Sequence, residues 1–256
     1  MPFDNKNIKI YDMSIWQTIM FDSNGNLLPP DRQKHINFNK VRDIGKALAV
    51  ILKAGQYYYK DPAFDIGWRN AKLAGLPRSS YWFLSRYDTG KNQAKKYWEY
   101  LKSDIGEGMH FCDFEYGSGN DWNQVYSFIS EFQQLSQLPD YKIGVYTGYY
   151  YWTQYAPSTN AQKNWFAKYP LWLAYYTANS ANIRIPLNWM LETLLLWQWG
   201  TPPIGMEIGC WSREVDANLL NGGQEKLNKY FGVSNTTSPS FPYSLVINNK
   251  EYRTVG

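Results

Sequence analysis

Along most of its 256 residues the chain alternates short apolar runs with stretches of helical periodicity, and few folds accept that pattern. Ile8–Ser14 (IKIYDMS), Ala47–Ala54 (ALAVILKA), Ser80–Ser85 (SYWFLS), Met109–Glu115 (MHFCDFE), Lys142–Thr147 (KIGVYT), Leu171–Tyr176 (LWLAYY) and Leu194–Trp199 (LLLWQW) read as strands. A further strand falls within Met206–Asp216 (MEIGCWSREVD). Helical patterns cover about 40–46, 66–74, 92–102 and 160–168. The clearest follows Asn120: Val125, Ile129, Phe132 and Ser136 form one stripe, Phe128 and Leu135 lie beside it, and Asn120 or Asp121 can cap the start. Alternation of this kind implies a parallel sheet, and roughly eight strands over ~250 residues fit a closed barrel. The last three strands have no long amphipathic helix after them. The expected fold is an irregular TIM-like α/β barrel with a helix-poor second half, filling residues 1–232. Val233–Pro242 (VSNTTSPSFP) reads as a linker, and YSLVINNKEYRTV as a hairpin around Asn248-Asn249. The 233–256 tail is too short to be a domain.

Within this frame, HFCDFE poses a chemical question. Strand side chains alternate faces, so Phe111, Asp113 and Glu115 share one face and His110, Cys112 and Phe114 the other. Carboxylates cost free energy when buried. If the first face points into the barrel, Glu115 sits at the C-terminal end of its strand, where barrel active sites lie. Two carboxylates within about 7 Å along a strand can serve one glycosidic bond. An apolar wall and a like-charged neighbour keep one of them protonated. The plainer alternative is a pair of solvated or Arg-paired acids. Acids recur at other strand ends: Asp12 follows IKIY and Asp216 ends SREV. Each could be a turn or cap residue, but in a barrel all four would share one mouth.

Other chemistries fit poorly. His35 and His110 are the two histidines, and His110 and Cys112 face away from Asp113 and Glu115, so neither a metal site nor another cofactor is expected. The chain has no nucleophile elbow, P-loop or dinucleotide glycine signature. Its net charge of +4 is mild, and no basic run suggests nucleic acid as a partner. Two cysteines are too few for a disulfide framework and read as free thiols. ALAVIL, among the longest aliphatic runs, is too short to span a bilayer, so no membrane insertion is expected. The polar start MPFDNKNIKI lacks a signal-peptide apolar region. Synthesis in the cytoplasm is expected, with release by other means. Tyr and Trp, 22 and 12 of them, have flat apolar faces with polar tips that suit a sugar-stacking groove, though a Tyr-rich core and surface is the alternative.

These residues resemble glycoside hydrolase family 25, the Chalaropsis-type lysozymes. The similarity runs from Ile8 to about Gly222: YDMSIWQ, ILKAGQYYYKDPAF, AGLPRSSYWF, CDFE, IGVYTGYYYW, PLWLAYY, LLLWQWG and EVDANLLNG appear in the family's order. The resemblance implies a barrel with a reduced second half and metal-free cleavage of the β-1,4 bond between N-acetylmuramic acid and N-acetylglucosamine in bacterial peptidoglycan, with retention. It implies Glu115 as general acid/base and Asp113 as the second catalytic carboxylate, acting as nucleophile or orienting the substrate's acetamido group. Asp12 and Asp216 would line the pocket. Tyr149, Tyr150, Tyr151, Trp152, Tyr175 and Trp199 are sugar-stacking candidates, with core packing as the alternative for each, and Tyr81 and Gln198 are further substrate-binding candidates. The chain departs from the family at Trp82, where many relatives have His between Tyr and Phe, and at Lys53, where Arg is frequent. The Thr18–His35 loop is long and lies on the catalytic side. A monomeric phage endolysin or virion-associated lysin is expected. The rivals are a non-catalytic wall-binding or virion structural protein on the same barrel, and a hydrolase of another N-acetylated glycan such as chitin.

Overall fold

A computed structural model describes residues 3, 8–116, 121–233, 245–247 and 250–252. In chain order its elements are β1 (Lys9–Met13), α1 (Phe38–Asp43), β2 (Ala47–Gln56), β3 (Tyr59–Lys60), α2 (Phe64–Leu73), β4 (Arg78–Phe83), α3 (Gly90–Leu101), β5 (His110–Asp113), α4 (Trp122–Ser136) and β6 (Ile143–Gly148). There follow α5 (Tyr149–Tyr155), α6 (Asn160–Ala167), β7 (Leu171–Ala174), β8 (Leu194–Gly200), β9 (Asp216–Leu220), α7 (Gln224–Phe231), β10 (Leu245–Ile247) and β11 (Lys250–Tyr252). Eight strands close into a barrel, with β3 as a short flap on β2. The barrel strands from β1 to β8 pair in parallel, the flap β3 pairs antiparallel with β2, and β9 runs antiparallel to both β8 and β1.

Strand alternation sorts the side chains into two cores. Ile10, Ala49, Ile51, Phe111, Tyr146, Trp172, Leu196 and Leu220 fill the barrel. Their neighbours Tyr11, Val50, Leu52, Cys112, Val145 and Leu173 face outward and join the helices. The predicted split of HFCDFE holds: Phe111 is in the inner core, and Cys112 and Phe114 are in the outer one. Gly144 is needed on β6 because a Cβ there would come within 2.6 Å of the Phe111 ring.

The predicted α4 stripe buries Val125, Phe128, Ile129 and Phe132, while Leu135 and Ser136 are half-buried. Asp121 occupies the N-cap position; Asn120 lies outside the described residues. Tyr97 of α3 stacks on Phe132 at 4.8 Å and on Phe128 at 5.7 Å. Each such buried aromatic is worth about 1.5–3 kcal/mol of burial.

The second half departs from regular βα repetition, as expected. β7 and β8 are joined through a 3-10 turn at Ser180–Asn182. Two helices were missed. α5 has only Trp152 buried, so the tyrosine-rich YYYWTQY shows no 3.6-residue stripe. α7 is short, but Leu227 and Phe231, four residues apart, seal the barrel floor with Ile8 and Met109. The last barrel strand also needs correcting: it begins at Asp216 instead of ending there, and 206–215 form a loop with Ile208, Cys210 and Val215 buried. Both cysteines are free and buried. β10 and β11 pair antiparallel, as the hairpin reading requires; the Asn248-Asn249 turn and residues 234–242 lie outside the described residues.

Candidate active site

The parallel strands deliver their C-terminal ends to one mouth. Asp12 stands near the end of β1, and Asp113 ends β5, in register with Phe83 of β4 and Tyr146 of β6. Because β9 is antiparallel, its first residue lies at the same mouth, and Asp216 pairs directly with Asp12. The four acids therefore converge as expected, with Asp216 arriving from the start of a reversed strand. Asp113 and Asp216 line a cleft of about 380 Å³ with Glu115, Tyr81, Lys53 and Trp16. Asp12 is buried beside it at 5% exposure.

A polar layer holds the acids from below. Asn218 donates to Asp12 Oδ2 at 2.8 Å and to the Ile10 carbonyl at 3.1 Å, and its own oxygen accepts from the Trp172 indole at 2.7 Å. Gln198 donates to Asp12 Oδ2 at 3.1 Å. The Gln198 oxygen lies 3.0 Å from the Tyr146 hydroxyl and 3.3 Å from that of Tyr176. The Tyr146 hydroxyl is also 3.2 Å from Glu115 Oε2. Its single proton serves one of these acceptors at a time. When Glu115 is protonated, a consistent chain runs from Glu115 to Tyr146, to Gln198, to Asp12.

The electrostatics favour protonated acids. Burial raises the pKa of Asp12 well above the usual carboxylate range; the Asp216 charge adds to this, and the Asn218 and Gln198 hydrogen bonds oppose it. Burial also raises Asp113 strongly, reinforced by Glu115 and opposed by the Lys53 ammonium. One Asp113 oxygen, Oδ1, is buried with no hydrogen-bond partner. Glu115 as a residue is exposed, but crowding of its carboxyl end raises its pKa, against the hydrogen bond from Tyr146. Burial, with the Glu214 charge, pushes Asp216 up to about 6. Burial lowers the Lys53 pKa, against the attraction of Asp113, Asp61 and Glu115. The site thus holds a cleft-lining acid with a raised pKa beside a buried carboxyl with a vacant acceptor.

The substrate-binding expectations divide. Tyr81 lines the cleft with the acids, while Gln198 is 3% exposed and works beneath them. Tyr149, Tyr150, Tyr151 and Tyr175 line an adjoining cavity of about 480 Å³ with Tyr176. Trp152 does not face it: this indole is 2% exposed and packs on Trp189 at 4.4 Å and Phe166 at 5.5 Å. Helix α5 turns it inward, so for this residue the core-packing alternative holds. Trp199 alternates with Gln198 and packs against the outer core instead of the cleft. Trp16, Tyr146 and Asn218 were missed as site residues. Alternation was the available signal for two of them, since Tyr146 follows inward Gly144 and Asn218 shares a face with Asp216. Trp16 is 78% exposed at the cleft, on a 3-10 turn capped by Ser14 and Gln17. The Thr18–His35 loop carries two bridges, Ile19 with Lys34 and Phe21 with Leu27, and contributes none of the cleft lining among the described residues. His110 packs on Tyr97 and Phe132, away from the acids, with burial holding its pKa down at about 3. Among the described residues, no group of three or more His, Cys, Asp or Glu side chains could hold a metal ion.

A cleft at the C-terminal mouth of a βα barrel, walled by aromatics and lined by carboxylic acids, fits glycoside hydrolysis, and the family match below makes the chain a glycoside hydrolase. The sequence profile described as Glycosyl hydrolases family 25 matches residues 31–203, and the chain belongs to that family. The fold is similar to that of a muramidase from Trichobolus zukalii, at 24% identity and TM-score 0.64, covering 88% of this chain and 100% of that one. It is similar also to a bacterial lysozyme from Streptomyces coelicolor, at 23% identity and TM-score 0.63, covering 88% and 96%. A third likeness is to the modular autolysin LytC from Streptococcus pneumoniae in complex with a synthetic peptidoglycan ligand, at 18% identity and TM-score 0.63, covering 85% of this chain and 47% of that one. Comparison with curated protein sequences gives no match.

Proposed function

We propose that the chain is an N-acetylmuramidase that cleaves the β-1,4 bond between N-acetylmuramic acid and N-acetylglucosamine in bacterial peptidoglycan, with retention. The muramidase and lysozyme among the similar proteins, and the peptidoglycan ligand of the S. pneumoniae autolysin, support the substrate class. The observation that carries the mechanism is the pair of unlike carboxyls in one cleft: Glu115 at the solvent edge, with a raised pKa, and Asp113 buried with a bare oxygen. Glu115 gives its proton to the glycosidic oxygen as the bond from C1 breaks. Asp113 Oδ1 accepts from the acetamido N–H, and the acetamido carbonyl oxygen closes on C1 to form a cyclic intermediate. The Glu115 carboxylate then takes a proton from the water that opens this ring, restoring the starting state. In this assisted path Asp113 Oδ1, which has no hydrogen-bond partner of its own, is free to take the acetamido N–H.

Turbidity clearing of purified bacterial walls tests the reading. Wild type clears walls and leaves reducing-end N-acetylmuramic acid, identified by mass spectrometry. Glu115→Gln lowers the rate roughly 10²–10⁴-fold without loss of the fold. Cleavage of chitin with no action on several wall types would overturn the substrate assignment.

A further inference from the structure

The sequence QYYYK places three tyrosines at the tip of the β2–β3 hairpin. Gln56 and Tyr59 are the last paired residues, so Tyr57 and Tyr58 form a two-residue turn. Turns of this kind favour Asn or Gly, because they need positive φ. Here Tyr57 adopts φ +55°, a conformation that a bulky side chain resists. Local turn chemistry has been overridden to display rings, and such violations concentrate at functional sites.

The rings are not isolated. Tyr58 and Tyr59, 47% and 55% exposed, share a hydroxyl hydrogen bond, and Tyr57 lies 6.0 Å from Tyr87. The Tyr87 and Tyr116 hydroxyls are 3.5 Å apart, and the Arg86 guanidinium sits 5.3 Å from each of these two rings. Tyr116 is 6.1 Å from Phe83, which lines the catalytic cleft. An aromatic path with one cation at its middle thus leads from the cleft to the hairpin tip. Single exposed aromatics are ordinary, but a contiguous path joined to a cleft marks a binding groove.

We infer that the Tyr57–Tyr59 hairpin tip, Tyr87, Tyr116 and Arg86 form a remote subsite that holds the glycan strand beyond the bond being cut. The inference rests on the peptidoglycan reading above. Rings with polar tips match sugar faces edged with hydroxyls. Arg86 matches the carboxylates of this polymer's peptide stems, or of its lactyl groups where no stem is attached, which a neutral glycan lacks. With the tyrosines of the β6 and β7 ends on the other side of the mouth, the strand is gripped on both sides of the scissile bond. The subsite therefore selects long, acid-bearing strands over short fragments.

Two readouts test it. The first is co-sedimentation of Glu115→Gln protein with purified peptidoglycan, alone and with Tyr58→Ala/Tyr59→Ala, Tyr87→Ala or Arg86→Gln added. Each addition is expected to weaken binding, by about tenfold for the double substitution. Arg86→Gln should also flatten the salt dependence. The second readout is kinetic, in the active background. The half-saturating wall concentration rises by a similar factor while the maximal rate and cleavage of a short soluble tetrasaccharide change little. Tyr57→Gly, which relieves the backbone, keeps or raises the melting temperature yet binds walls less well. Unchanged sedimentation in proteins that melt normally would overturn the subsite, as would equal losses on wall and tetrasaccharide. If wild type cleaves no wall, the muramidase reading falls, and sedimentation still decides whether the ridge grips the polymer.

Discussion

From β1 to β6 the barrel wall is backed by α1 to α4, and its outward side chains mesh with Phe64, Trp68, Tyr97, Val125, Phe128 and Phe132. Beyond the short α5 and α6, the connections from β7 to β9 are a 3-10 turn and loops, and Gln198 and Asn218 reach inward to Asp12. The helical half contributes Asp113 and Glu115 from a rigid wall. The same half supplies Lys53 and Tyr146, which set charge and hydrogen bonding around them, while the other half adds Asp216 and the two amides that hold Asp12. The two arcs of one sheet thus carry unequal shares of packing and of tuning, and substitutions should separate them.

The largest stability effect belongs to the helical arc. Phe132→Ala, which opens a void between α3, α4 and β5, should cost about 3–5 kcal/mol in denaturant unfolding. The protein that remains folded should keep its catalytic constants within about twofold. A large loss of turnover at full folding would break the division. Asn218→Leu should do the reverse. It strips a donor from Asp12 and orphans the Trp172 indole, costing about 2–3 kcal/mol. Turnover should fall roughly tenfold to a hundredfold, because the acids above lose their registration.

A pH scan sharpens the comparison without mutation. Asp216 titrates at about 6 in the folded chain against an ordinary value of 3.8. Between these values the folded chain binds more protons than the unfolded one, so stability should rise as pH falls from about 7 towards 4. Asp12 and Asp113, also raised, push in the same direction. Chemical denaturation across this range checks the sign, and Asp216→Asn should flatten part of the slope. Activity should fall on the alkaline side as Glu115 loses its proton. The smallest effect is expected from Ser14→Ala, which uncaps the turn presenting Trp16: about 1 kcal/mol of stability, and a weaker hold on substrate read as a higher half-saturating wall concentration.

The difference between the arcs also explains what was legible in the sequence. Apolar runs and the α4 stripe are periodic signals, so the barrel strands from Lys9 to Gly200 and the long helices could be read within a few residues, while the two-residue flap β3 could not. Alternation correctly sent Phe111 and Asp113 inward and Cys112 outward. The reversed strand was harder. Asp216 looked like a strand end because nothing local states a strand's direction; the antiparallel pairing with Asp12 decides it. For Trp152 the two readings offered by the sequence, sugar stacking and core packing, are decided for the core: four aromatics in a row do not say which one a helix will bury. Alternation could place Asn218 and Tyr146 on the inward face, but not name their partners, which lie more than 30 residues away.

The reversed last strand has one more consequence. By running from mouth to floor, β9 hands the chain to α7, whose Leu227 and Phe231 close the barrel underneath, and Val233 packs there as well. The chain therefore reaches Val233 at the pole opposite the cleft. A fusion partner or surface tether joined beyond that point would ride behind the barrel, as a handle sits behind a blade, and leave the cutting edge free to lie flat on the polymer.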